Sequence, residues 1–363
     1  MKNANPAAGL PPADVLWRAM PMTRLLDCGM DHADALALRR LTGEGVPWDI
    51  AAERLGDAQT ERAAAAEADG RHVTSGEAYR AAIACYLFAQ MAFNFDDARK
   101  RELYARMSDA AAGAGRVATP AWERIEPPFE GGRLTGWLVR PAGPARGTVV
   151  IFGGQSGWGA AYTRQAEALN RRGIAALLAE GPGQGEPRLT GGIHLDVDVR
   201  AAYSGFVDEA AARPGLGTGI GLWGNSMGGL FAATTAASDR RVNAVCVNGA
   251  PARPRLLAFR AFAEQAAAML GTTDPEAVRR NFDRIALRPE DRISCPVLVL
   301  HGGADQIVAL DEQRPFLDAA DHGDATLRVW EDGEHTLYNH ADERTAYVAD
   351  WFADRFAEMG ERS

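Results

Sequence analysis

A chain of 363 residues exceeds the usual size of one domain, so one large α/β domain with an added unit, or two domains, is expected. With 47% hydrophobic and 24% charged residues it can bury a large core, and a net charge of −9 without a polybasic patch excludes the electrostatic footprint of a nucleic-acid binder. Cys28, Cys85, Cys246 and Cys295 lie far apart, with no CxxC pair and no Cys/His cluster, which argues against a metal centre and for reduced core thiols.

The first residues, with Asn3, Asn5, Pro6 and Pro11-Pro12, lack the apolar core of a signal peptide, and no run approaches a membrane span, so a cytoplasmic protein acting on a small molecule is expected. Lysine occurs only at Lys2 and Lys100, a composition bias without mechanistic content. From about 13 to 115 the chain is Ala-rich, with apolar residues three and four apart, which predicts helices over 30–41, 50–68, 74–93 and 97–112. Thr74 and Glu77 have the spacing of a capping box, and Tyr79, Ile83, Tyr86, Leu87, Gln90 and Phe93 follow largely on one face. A helical domain over 1–116 is expected, its aromatic residues Tyr86, Phe88, Phe93 and Phe95 read as core.

The pattern changes near 117, where a catalytic domain over 117–363 is expected to begin. Residues 122–125 and 134–139 read as a hairpin turning at Glu130-Gly131-Gly132. Buried, largely apolar strands follow at 148–152, 174–179 and 220–223, and further strands continue the series at 242–247, 297–301 and 326–330. Helical patterns at 160–172, 197–212, 227–237 and 343–356 lie between and after them, which implies a doubly wound, mostly parallel α/β sheet. The alternation breaks over 254–291, where two helical stretches form an insertion large enough to cap a site.

At the junction of the 220–223 strand and the next helix stands Gly224-Asn225-Ser226-Met227-Gly228, the G-x-S-x-G spacing of a strained nucleophile elbow. A serine hydroxyl needs a base to take its proton, and the base needs an acceptor to orient it. Asp305 follows the 297–301 strand and His335 follows the 326–330 strand, which gives the order Ser226, Asp305, His335. His32, His72, His194, His301, His322 and His340 compete for the base role, with His340 ranked second, and Asp332 and Glu334 compete with Asp305. The backbone amides of Met227 and of Gln155, which follows Gly153-Gly154, are the natural oxyanion donors.

These residues resemble the α/β-hydrolase superfamily. From about Thr74 onward the chain is similar to the branch containing 2,6-dihydroxypseudooxynicotine hydrolase and the fungal polyketide-shortening hydrolases. The resemblance rests on Gly153-Gly154, on Glu180-Gly181-Pro182-Gly183-Gln184-Gly185-Glu186, on Gly224-Asn225-Ser226-Met227-Gly228-Gly229, on Ile293-Ser294-Cys295-Pro296 with the strand after it, and on Asp332-Gly333-Glu334-His335. It implies an α/β-hydrolase fold with an N-terminal helical domain covering the site and a helical cap insertion. It also implies a serine triad working without metal or organic cofactor, and cleavage of a carbon–carbon bond next to a ketone, or of esters. Relatives in the branch carry a glutamate in the loop after the paired glycines, where this chain has Ser156.

The expected enzyme is therefore a serine hydrolase acting through an acyl-enzyme on a partly aromatic or polyketide-like ketone, with a carboxylic ester, thioester or lactone as the alternative substrate. A ligand-binding homologue with an unused triad is a third reading. Ser156, Trp158, Phe152, Tyr338 and Met227 are the candidates to line the substrate. A homodimer is the expected assembly, and neither nucleic acid nor membrane is an expected partner.

Overall fold

The computed structural model describes residues 10–155, 157–195, 197–257, 260–321 and 323–362. The chain divides into two compact units, Met1–Glu123 with Ala160–Arg164, and Arg124–Gly159 with Gln165–Ser363.

The described part of the first unit is helical: α1 Ala13–Ala19, α2 Met22–Asp27, α3 His32–Gly43, α4 Trp48–Ala68, α5 His72–Met91 and α6 Ala98–Val117. Asp31 and Asp97 cap α3 and α6 by accepting from the amides of Ala33 and Lys100, so free N–H groups of the first turns are satisfied by side chains. The capping box expected at Thr74 and Glu77 is not used. After α4 the chain turns at Gly70, whose φ is 73°, and the Arg71 amide bonds back to the Ala66 carbonyl. That turn is short enough for α5 to start at His72, which leaves Thr74 inside the helix. Tyr79, Tyr86 and Phe88 are buried as expected, whereas Phe93 and Phe95, past the end of α5, are only half-buried and not core. The ring of Tyr86 covers Gly56 of α4 and the ring of Tyr79 covers Gly113 of α6, where a Cβ would lie 2.7 Å from either ring.

The second unit is built on one sheet. Its elements are β1 Glu123–Ile125, β2 Pro128–Phe129, β3 Gly132–Arg133, β4 Thr135–Val139, β5 Gly147–Phe152, α7 Thr163–Asn170, β6 Ala175–Glu180, α8 Gly185–Leu189, α9 Val199–Ala212, β7 Gly219–Asn225, α10 Met227–Ser238 and β8 Ala244–Asn248. These are followed by α11 Arg260–Leu270, α12 Pro275–Ile285, β9 Val297–Gly302, α13 Arg314–Asp318, β10 Ala325–Trp330 and α14 Ala341–Arg362. The eight-stranded sheet runs β1-β4-β6-β5-β7-β8-β9-β10. From β6 to β10 every pairing is parallel, and β4 joins β6 antiparallel. The mostly parallel, doubly wound sheet expected from the sequence is thus present.

Strands β5 to β9 are buried along their whole lengths, which is why they read as unbroken apolar runs. Over 122–139, where a hairpin was expected, β1 is the sheet neighbour of β4, and the antiparallel β2–β3 ribbon between them in sequence turns at Glu130 and Gly131. Both turn residues have positive φ, 46° and 79°.

The insertion after β8 carries α11 and α12. Val278, Phe282 and Ile285 of α12 join the core, and the Leu195 amide donates to the Met269 carbonyl of α11 at 2.9 Å. Arg200 grips the Asp291 carboxylate through two nitrogens at 2.9 and 2.7 Å at the far end of the insertion. Among the described residues no helix is long and apolar enough to cross a membrane.

Candidate active site

The serine stands where β7 turns sharply into α10. Ser226 has φ 55° and ψ −136°, a strained conformation for a residue with a side chain, and its amide is held by the Asn248 carbonyl at 2.8 Å. The flanking glycines follow from the tightness of this turn. A Cβ at Gly224 would lie 2.1 Å from the Gly228 carbonyl oxygen, and one at Gly228 would lie 2.6 Å from the carbonyl oxygens of Phe152 and Gly153. The motif is therefore set by backbone packed on backbone.

Two other parallel strands deliver the partners. Asp305 lies just past β9, its amide bonded to the Gly302 carbonyl at 3.0 Å, and His335 lies just past β10. His335 Nε2 is 2.9 Å from Ser226 Oγ, and His335 Nδ1 is 2.8 Å from Asp305 Oδ2. Asp305 Oδ1 accepts from the amides of Ile307 and Val308 at 2.8 and 3.1 Å. The Asp305 side chain is fully buried and the His335 side chain is 12% exposed, so one face of the pair is shielded while the imidazole reaches the serine. Burial works to raise the Asp305 carboxyl, but the hydrogen bond and charge of His335 and the two amides outweigh it and hold the group below the usual carboxylate range. An ionised carboxylate only accepts, so Nδ1 carries the imidazole proton and Nε2 accepts from the serine hydroxyl.

The loop carrying His335 is itself strained. Thr336 and Leu337 both have positive φ, 53° and 64°. The Thr336 carbonyl takes two buried donors, Asn248 Nδ2 at 3.0 Å and Arg344 Nη1 at 2.9 Å. Asn248 Nδ2 also donates to Asn225 Oδ1 at 2.9 Å, which links the loop to the strand beneath the serine. Asn248 and Arg344 were not anticipated, because neither belongs to a motif and both act through contacts distant in sequence.

Gly154 passes beside the serine: a Cβ there would lie 2.8 Å from Ser226 Cβ and 2.9 Å from the Met227 amide nitrogen. Gln155 is buried, and its Nε2 donates to the Phe262 carbonyl of α11 at 2.8 Å. The Met227 amide opens the first turn of α10, where the unpaired N–H groups and the helix dipole favour negative charge.

The proposed lining needs correction. Phe152 does not line the site: its side chain is fully buried in the core with its ring 4.5 Å from that of Tyr203, because β5 is covered on both faces. The Met227 side chain is likewise core, leaving only its backbone in position to act. Trp158 is buried beneath the guanidinium of Arg188, 5.4 Å from the ring centre. Tyr338 lies edge-on to His335 at 6.3 Å and is half-buried, which brings it to the imidazole. Ser156 and His322 lie outside the described residues. His340 bonds Asp332 at 2.8 Å instead of approaching the serine. Among the described residues no group of three or more His, Cys, Asp or Glu is arranged to hold a metal ion.

His301, at the end of β9, is buried, and its Nδ1 has no hydrogen-bond partner among the described residues. Burial pushes the imidazole below its ordinary value, against the pull of Asp305 and with the help of His335. An unfolded His301 takes a proton below about pH 6.5 while the folded one resists it, so the unfolded state binds more protons and stability falls as the pH drops through that window. In urea titrations, the stability difference between wild type and His301→Asn is expected to move against wild type from about pH 7.5 to 5.5. A difference constant with pH would remove His301 as its source.

The family model described as serine aminopeptidase, S33 matches residues 143–285 and 276–342, more than half of the chain. The chain belongs to this family. This S33-family hydrolase is 25% identical over 342 residues to the 2,6-dihydropseudooxynicotine hydrolase of Paenarthrobacter nicotinovorans, an alignment covering 91% of this chain and 90% of that protein. The crystal structure of the 2,6-dihydroxy-pseudo-oxynicotine hydrolase superposes with a TM-score of 0.84 at 24% identity, covering 92% of this chain and 95% of that one. Wild-type AbyA5 superposes with a TM-score of 0.68 at 20% identity, covering 95% and 99%. The S33-family chain is thus an enzyme, a hydrolase of the α/β-hydrolase fold, and its likeness extends over both of its units.

Proposed function

We propose that this chain is a serine hydrolase that cleaves a carbon–carbon bond next to a ketone in a partly aromatic or polyketide-like substrate. The observation that carries the reading is the line of contacts from Ser226 Oγ to His335 Nε2 at 2.9 Å and from His335 Nδ1 to Asp305 Oδ2 at 2.8 Å. The choice of substrate class rests on the likeness to a pseudooxynicotine hydrolase over 91% of the chain.

In the first step Ser226 Oγ bonds to the carbonyl carbon, its proton passes to His335 Nε2, and the carbonyl electron pair becomes an oxyanion facing the amides of Met227 and Gln155. Collapse of this adduct breaks the bond to the leaving carbon, which takes the pair as an enolate when a second carbonyl stands beyond it, and His335 returns the proton. Water activated by His335 then attacks the acyl-enzyme, releases a carboxylic acid and restores Ser226. Asp305 orients the imidazole and balances its charge throughout.

Ser156 favours a second reading. Ester cleavage needs no extra acid in the glycine loop, because an alkoxide leaves more readily than a carbanion and His335 alone can protonate it. Turnover of an aryl ester and of an aromatic β-diketone by the purified protein, with Ser226→Ala as the blank, separates the two. Diketone cleavage that disappears in Ser226→Ala is the expected result. Turnover of the ester alone would transfer the assignment to ester hydrolysis.

A further inference from the structure

The run Gly181-Pro182-Gly183-Gln184-Gly185-Glu186 links β6 to α8, and nothing in the reaction above uses it. Gln184, 2% exposed, has both ends of its amide engaged. Its Nε2 donates to the Gly153 carbonyl at 2.7 Å and to the Gly154 carbonyl at 3.0 Å. Its Oε1 accepts from the Gly181 amide at 3.1 Å and from the Tyr203 hydroxyl at 3.4 Å. The Glu180 carboxylate fixes the same loop by accepting from the amides of Gly159 and Glu186 at 3.1 and 3.2 Å.

A trans peptide is planar, so its C=O and the following N–H point in opposite directions. Drawing the Gly154 carbonyl toward Gln184 therefore turns the Gln155 N–H the other way. Gly154 is the residue packed against Ser226 Cβ and the Met227 amide, so the serine lies beside this peptide. The Gly157 amide also reaches the Gly154 carbonyl, at 3.1 Å, but Gln184 binds the two successive carbonyls together and so fixes the run.

We propose that Gln184 is a positioning residue for the oxyanion hole: by binding the Gly153 and Gly154 carbonyls it holds the 154–155 peptide with its N–H toward the carbonyl oxygen of the substrate. The proposal rests on the reading of Ser226 as nucleophile and of the Gln155 amide as oxyanion donor. It accounts for a buried amide in this run, because the carbonyls it binds would otherwise seek other donors by rotating the peptide.

The test compares two ligands of one shape. An alkyl trifluoromethyl ketone adds Ser226 Oγ across its carbonyl and places a full oxyanion in the hole, while the corresponding methyl ketone stays trigonal. In Gln184→Met the affinity for the trifluoromethyl ketone is expected to fall about tenfold to a hundredfold relative to the methyl ketone, since the loss concerns the tetrahedral adduct alone. Gln184→Asn keeps an amide but withdraws it by one methylene, and is expected to show the same split at smaller size, which keeps the test available if Gln184→Met does not fold. General damage to the site would weaken both ligands together. A folded variant with the wild-type affinity ratio, or with both affinities lowered equally, overturns the role of Gln184. If wild type itself binds the trifluoromethyl ketone no better than Ser226→Ala does, it is the nucleophile reading that fails.

Discussion

Ser226→Ala is expected to lower kcat by about six orders of magnitude, whichever of the two substrate classes turns over, while leaving the fold intact. The size follows from the interdependence of the three groups. Without Oγ, the His335–Asp305 pair has no proton to take, and only binding and the oxyanion donors remain to help water attack directly. Circular dichroism and urea titration check that the variant is folded, since alanine at φ 55° meets the same backbone strain as serine. Residual activity above about a tenth of wild type, far more than such donors supply alone, would assign the chemistry elsewhere.

Asp305→Asn should cost about four orders of magnitude in kcat with little effect on KM. The reason is visible in the hydrogen bonds. Asp305 Oδ1 receives two backbone amides, from Ile307 and Val308, so an asparagine must place its carbonyl oxygen there. Its NH2 group then points at His335 Nδ1 and makes that nitrogen the acceptor, which moves the imidazole proton to Nε2. Nε2 would face the Ser226 hydroxyl as a donor, unable to take its proton. Partial recovery is expected as the pH rises and hydroxide replaces the missing base, so the pH–rate profile separates this mechanism from loss of structure.

Ser226 and Asp305 were legible because each follows a buried, largely apolar strand and falls on the loop at its carboxyl end, whereas β10, before His335, is a half-exposed strand containing Thr326 and Arg328 and was read from its place in the strand–helix alternation. Ser226 also carries its two glycines, whose necessity the backbone contacts explain. The supporting groups were not legible. Gln184 meets the Gly153 carbonyl across 31 residues and Asn248 meets Thr336 across 88, contacts that exist only because the sheet brings those strand ends together. Phe152 was among the candidates to line the substrate, but the covering of both faces of β5 takes its ring into the core. The start of α5 was misplaced because the turn at Gly70 makes the capping pair unnecessary. Ribbon β2–β3 and helix α8 are too short for any period to show.

If Ser226 is a nucleophile activated by His335, it is the one serine that an acylating or phosphonylating reagent attacks fast. Treating the folded wild-type protein with a fluorophosphonate and mapping the adduct by peptide mass tests this most directly. One adduct is expected, on the peptide carrying Ser226, absent in Ser226→Ala and formed far more slowly in His335→Ala. A folded wild-type protein that takes no adduct, or takes it at another residue, would contradict the account.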